Sequence, residues 1–247
     1  MKVRIAALVA LAPVAFSQPL VAQIPEKFEN LQVLPKDIPR DSLIQIMRGV
    51  TLSLGVRCNY CHAGGNGQSL QGMDFKSDEK ATKKKARFML AMTDTINRVT
   101  LAGLPERADP QIRVQCVTCH RGSALPRTLA ATLVDVDEKL GPDSAIARYR
   151  SLRETSMENG RYDFGEQSLS ETARTLSLHG KSADAVRMLE LNSEMHPSST
   201  QVDMELADAY AKNGDKDKAI ARYRGVLARQ PNNQFAKRAL QQLGVTP

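Results

Sequence analysis

The sequence predicts a mainly α-helical protein in two parts: helices and long loops gathered around two attachment motifs, then an array of stacked helices. Three observations predict it. Two Cys-x-x-Cys-His pentapeptides, Cys58–His62 and Cys116–His120, use all four cysteines of the 247-residue chain and two of its four histidines. Ahead of each pentapeptide, apolar residues recur at steps of three and four, which is one stripe of a helix. Beyond about Val134 the chain becomes rich in Ala, Leu and charged residues, and it repeats at 34 residues: Gly180 and Gly214, Ala185 and Ala219, Leu189 and Tyr223, Pro197 and Pro231.

The pentapeptide spacing has a chemical reading. Two thiols three positions apart can add to the two vinyl groups on one edge of a haem. The histidine that follows puts an imidazole nitrogen at the iron as a proximal ligand. Cys58, Cys61 and His62 would form one such site, and Cys116, Cys119 and His120 a second, for two covalently bound haem c groups. Other readings of the cysteines fit less well. A thioredoxin-like dithiol calls for a βαβ setting, and the sequence has no such pattern. Paired C-x-x-C motifs that share zinc are about 15–20 residues apart, whereas Cys61 and Cys116 are 55 apart. Structural disulfides would not require a histidine after each pair.

Composition narrows the function classes. Aromatic residues make up 4% of the chain and Trp is absent, so haem surfaces would stand in for part of a conventional core. The formal charge of +7, from 34 basic and 27 acidic residues, suits docking to an acidic protein as well as an ordinary basic surface. There is no nucleic-acid motif, and the aromatics are too few for a base-stacking platform.

In chain order, Met1 to about Ala22 reads as a secretory signal: Lys2 and Arg4, then the apolar run Ile5–Phe16, which is short for a membrane span. Export to the periplasm agrees with covalent haem attachment outside the cytoplasm. A first helix is expected from Asp41 or Ser42 to Leu54, ended by Gly55. Its apolar stripe is Leu43, Met47, Val50 and Leu54. Met47 lies 11 residues before Cys58, and a Met thioether is a standard sixth ligand of cytochrome iron that raises the potential. A loop with four glycines follows His62. A second helix is expected from Ser77 to Val99, with Asp78 and Glu79 in its first turn. Its inner stripe is read as Met89, Met92, Ile96 and Val99; Lys80, Lys83, Lys84, Lys85 and Arg87 form a basic patch on its N-terminal half, read first as a solvated face and second as a docking patch for an acidic redox partner. Residues 103–115 read as loop.

These motifs resemble those of the cytochrome c subunit of photosynthetic reaction centres. The likeness covers roughly residues 31–127. It rests on Leu-Gly-Val-x-Cys-x-x-Cys-His at 54–62, Ala-Arg-x-Met-x-x-Met-Thr-x-x-Ile-Asn at 86–97, and Cys-x-Thr-Cys-His-Arg-Gly at 116–122. The resemblance implies a haem-binding fold in which a helix before each haem carries an axial Met. It assigns Met47 to the first haem and Met89 to the second; helical spacing alone leaves Met89 and Met92 equivalent. It also implies a departure: the family's subunit carries four haems in two similar halves, and this chain has one half. The family's extra His position, shortly after the Ile-Asn pair, is not a His here.

The 34-residue period resembles tetratricopeptide (TPR) repeats, helix-turn-helix units that stack side by side. Leu206, Ala207, Tyr210, Gly214, Ala219, Tyr223 and Pro231 match that consensus best. Ser144–Glu158 reads as the second helix of a degenerate earlier repeat, and Phe235–Leu243 as a cap. His179 and His196 fall at helix ends and are not read as ligands. The expected organisation is a signal peptide at 1–22, a dihaem cytochrome c domain at 23–134 and a TPR-like domain at 135–247. Filled axial positions favour an electron carrier over an enzyme. Its partners would be redox proteins, including a membrane-bound complex, with a protein docked in the TPR groove. Arg57 and Arg121 are candidate propionate contacts. The competing expectations are a dihaem peroxidase-like enzyme and a repeat scaffold with structural haems.

Overall fold

The computed structural model describes residues 24–246 apart from 26, 66, 107 and 108; the expected signal peptide lies outside the described residues. The chain is mainly helical, as expected. It divides into two compact units, one running through Thr51 and over Val56–Gln115, the other formed by Leu52–Gly55 and everything from Cys116 onward. The expected division at 134/135 falls inside a helix, Leu129–Leu140, and the second pentapeptide packs with the helical array rather than with the first.

In the first unit, helix α1 (Arg40–Leu54) starts where Pro39 leaves its carbonyl to accept from the Leu43 amide. Its stripe is as the sequence indicates, with Leu43 buried and Met47 and Val50 half-buried. After the first pentapeptide, Ala63–Gly64 (β1) and Met73–Asp74 (β2) pair antiparallel and close the glycine loop. Helix α2 runs over Ala81–Thr95 and continues as a wider π turn over Ile96–Thr100.

Three expectations about α2 are corrected. The helix begins at Ala81, not Ser77, because the Asp78 carboxylate is drawn out of a first-turn role by Arg87 (2.8 Å), Lys83 (3.3 Å) and Asn30 (2.9 Å). The basic face is split: Lys84 and Lys85 are exposed, but Lys83 is only 7% exposed, and its ammonium donates to the Phe75 and Ser77 carbonyls. The face of α2 that meets the unit's interior carries Lys83, Ala86, Arg87 and Leu90. Met89 and Met92 stay 41% and 40% exposed. The π turn is anchored by Asn97, which both accepts from the Val114 amide and donates to its carbonyl at 2.8 Å.

In the second unit, α3 (Cys116–His120) is the second pentapeptide itself. It is followed by α4 (Leu129–Leu140), α5 (Pro142–Ser156), α6 (Glu166–Leu178), α7 (Ser182–Met195), α8 (Thr200–Lys212), α9 (Lys216–Arg229) and α10 (Gln234–Gln242). The period is visible in the element bounds. Adding 34 to the ends of α6 and α7 gives the ends of α8 and α9, and adding it to the start of α8 gives the start of α10. The turn between each pair holds a glycine at positive φ, Gly180 at +79° and Gly214 at +88°, where side chains with a Cβ are strained. The earlier pair, α4 and α5, breaks the period because the connection at 157–165 is long. That connection is not idle: Phe164 packs edge-on to Tyr149 and Tyr162, building a local core with Leu129, Leu133 and Leu169. A larger core joins α6 to α10 through Leu176, Met188, Leu206, Tyr223, Val226 and Leu240. His179 and His196 cap α6 and α7. No helix among the described residues is long and apolar enough to cross a membrane.

The end of α1 is tied into this unit. The Gly122 amide donates to the Ser53 carbonyl at 2.7 Å, and Gly55, at φ +64°, lies so close that an added Cβ would sit 2.3 Å from the Gly122 oxygen. At Gly214 an added Cβ meets nothing within 4 Å. Gly214→Ala should therefore cost only backbone strain, about 1–2 kcal/mol, and Gly55→Ala distinctly more. Urea unfolding of the full-length variants measures both, and an equal loss at the two sites would contradict the close approach.

Candidate haem-attachment sites

Each pentapeptide is a single helical turn. In the first, Cys58–Tyr60 form a 3₁₀ turn. The Cys61 and His62 amides both donate to the Cys58 carbonyl, at 3.2 and 3.0 Å. Positions i and i+3 of such a turn eclipse one another, so the Cys58 and Cys61 thiols share a side. The turn is held from α2: the Lys80 ammonium donates to the Asn59 carbonyl and the Thr82 hydroxyl to that of Tyr60.

The first unit encloses a cavity of about 580 Å³, a volume typical of ligand sites. Cys58, Cys61, His62 and Met47 all line it, with an apolar wall of Leu43, Val50, Leu70, Phe75 and Leu90. The structure thus brings together the two thiols, the imidazole and the thioether that were singled out separately, from positions 47 to 62. Arg57 also lines the cavity, with its guanidinium donating to the Gly67 carbonyl. The His62 ring packs edge-on to Phe75, with centroids 5.0 Å apart. Burial, then the neighbouring Lys83 charge, push the His62 pKa down, with the Phe75 backbone acting in the opposite sense. A neutral imidazole is the form that ligates a metal. Burial also raises the Cys61 thiol, against hydrogen bonding from Thr82.

In the second unit, α3 carries Cys116, Cys119 and His120. Arg121, at φ +46°, and Gly122, at φ +78°, turn the chain back so that the His120 Nδ1 lies 2.8 Å from the Ser123 carbonyl. A histidine that donates Nδ1–H to a carbonyl leaves Nε2 free as the ligating nitrogen, the usual arrangement of metal-bound imidazoles. A cavity of about 460 Å³ adjoins this turn, lined by Cys119, His120, Arg121, Arg127, Arg161 and Tyr162 among others. Arg161 and Tyr162 carried no signal in the sequence; they reach the site because the long α5–α6 connection folds back onto it. Met89 belongs to the first unit and His120 to the second, so the structure does not by itself pair them.

The residues present fit covalently attached haem. None of the four cysteines is in a disulfide. Among the described residues no three Cys, His, Asp or Glu side chains converge as a chelating set. What remains at each site is two thiols on one face of a turn with an imidazole next in sequence.

Comparison with known proteins agrees. The family model described as the photosynthetic reaction centre cytochrome C subunit matches residues 5–159. A photosynthetic reaction center cytochrome c subunit from Roseobacter denitrificans is 31% identical over 113 residues, which is 45% of this chain and 28% of that protein. One from Thermochromatium tepidum is 33% identical over 104 residues, 41% of this chain and 22% of that protein. The matched stretch thus covers about a quarter of each relative's length.

The thiol environments make a direct prediction for the chain before any attachment. Cys119 is exposed, whereas Cys61 is half-buried with its pKa raised. Thiolates are the reactive species, so a disulfide reagent should modify Cys119 first and Cys61 last. Peptide mapping of a time course reads the order, and early labelling of Cys61 would contradict the described first site.

Proposed function

The chain belongs to the photosynthetic reaction centre cytochrome c subunit family, and from that premise we propose that it is an exported c-type cytochrome that passes single electrons between protein partners. The observation that carries this reading is the first cavity, where the two cysteines and histidine of the first pentapeptide meet a methionine of α1 on one apolar enclosure. Two haem c groups are proposed, one on Cys58 and Cys61 and one on Cys116 and Cys119. Bound in such a site, a haem supplies reversible ferrous–ferric exchange; the chain's residues set its terms. His62 and His120 offer imidazole nitrogens, and the Ser123 carbonyl fixes the ring of the latter. Met47 offers the thioether at the first site. Met89 is proposed for the second on the strength of the family pattern. An iron given both an imidazole and a thioether would keep no position open for a substrate, which is the arrangement of a carrier rather than an enzyme.

The helices α6 to α10 are proposed to be TPR repeats, because their bounds recur at the 34-residue period of that family. Their role would be to dock a protein partner. The relatives are named as subunits of a reaction centre, so a membrane-bound redox complex is the partner class we propose first.

Potentiometric titration followed by visible spectra tests the function. The account expects two one-electron steps and low-spin spectra that added peroxide leaves unchanged. Met47→Ala should lower one potential, since an axial thioether raises it, and should open that iron alone to added ligands. Unchanged potentials and spectra in Met47→Ala would overturn the ligand assignment. A wild-type spectrum that responds to peroxide would favour the peroxidase-like reading instead.

A further inference from the structure

Around the first cavity one carboxylate gathers groups from two separate stretches of chain. Asp78 accepts from Asn30 Nδ2 at 2.9 Å, from Gln32 Nε2 at 3.2 Å, from Arg87 at 2.8 Å and from Lys83 at 3.3 Å. Asn30 is the second knot of the same network. Its side chain also donates to the Lys76 carbonyl and accepts from Gln32 at 2.8 Å, while its own carbonyl accepts from Arg87 at 3.2 Å. Arg87 holds the Asp78 carboxyl well below the usual carboxylate range, so the network stays charged at neutral pH.

The segment so held, residues 27–34, forms one wall of the cavity lined by Cys58, Cys61, His62 and Met47. It has no regular structure, and no side chain of it is fully buried. Packing alone therefore does little to keep it in place. Lys83 and Arg87 line the same cavity from α2. The Asp78 network thus joins the loose wall to the rigid one.

We propose that Asp78, acting through Asn30 and Gln32, is a positioning residue: a clasp that holds residues 27–34 over the first haem site and keeps water from it. The proposal rests on the haem reading of that site. Excluding water disfavours the more highly charged ferric state, because charge is poorly solvated in an apolar enclosure. Releasing the clasp should lower the potential of the first haem and leave the second alone.

The test uses the full-length, haem-loaded chain and a variant that changes no charge, Asn30→Ala with Gln32→Ala. The variant loses the hydrogen bonds of Asn30 to Asp78 and to the Lys76 carbonyl and that of Gln32 to Asp78, which should raise the population of the open segment, and with it the rate of limited proteolysis within 27–34, by about ten-fold or more. The first potential should fall and the second should stay. If Asn30→Ala prevents folding, Gln32→Ala alone should move both readouts in the same direction by less. Proteolysis at the wild-type rate would overturn the clasp. Faster proteolysis with an unmoved first potential would overturn its role at the haem. A wild-type chain without bound porphyrin would overturn the functional reading instead, while the proteolysis comparison would still test the clasp.

Discussion

The hydrogen bond from the His62 amide to the Cys58 carbonyl closes a single turn of chain, and much of the first unit depends on that turn. It places two thiols on one side and carries an imidazole directly after them. The surrounding elements hold this geometry. Helix α2 grips the turn through Lys80 and Thr82, α1 brings Met47 to the same enclosure, and the Phe75 ring supports His62. The second pentapeptide reaches a comparable arrangement by another route. There an α-helical turn ends in two left-handed residues, which swing the Ser123 carbonyl under the His120 ring. The same five-residue chemistry is thus served by two different backbones.

The two sites also differ in what encloses them. The first is walled by residues drawn from 24–90. The second sits against the start of α4 and the connection before α6, so its surroundings are built by the helical array. The helices that follow the second pentapeptide therefore also build the surroundings of its cavity. Helices α4 and α6 supply Leu129, Ala130 and Ser168 to the second cavity, and the connection between α5 and α6 supplies Arg161 and Tyr162; Arg161 also donates to the Gly122 carbonyl just beyond the pentapeptide.

Much of this was legible in the sequence, for identifiable reasons. The pentapeptides are local, so their chemistry follows from spacing alone. Helix α1 announces itself by Pro39, an unbroken stripe and Gly55. The helical pairs from α6 onward announce themselves because glycine is needed at the same turn in each repeat, and 34 residues separate those glycines. Helix α2 misled for equally physical reasons. Lys83 looked like part of a solvated face because its partners, the carbonyls of Phe75 and Ser77, lie in a loop with no pattern of its own. Asp78 looked like a first-turn acid because its tie to Asn30 spans 48 residues. The Met89–Met92 stripe was real as a helical face, but the face turned inward is the one bearing Ala86 and Leu90. Hydrophobic periodicity identifies a helix well; it does not say which of two mixed faces meets a cavity that a cofactor is meant to fill.

The central claim is that two porphyrins are fastened to this polypeptide by four thioether bonds. Intact mass spectrometry of the chain, produced in a host that attaches haem to exported proteins, tests it most directly. The account predicts a mass equal to the processed polypeptide plus two haems, falling by one haem when Cys58 and Cys61, or Cys116 and Cys119, are replaced by Ala. A colourless product at the bare polypeptide mass would contradict it.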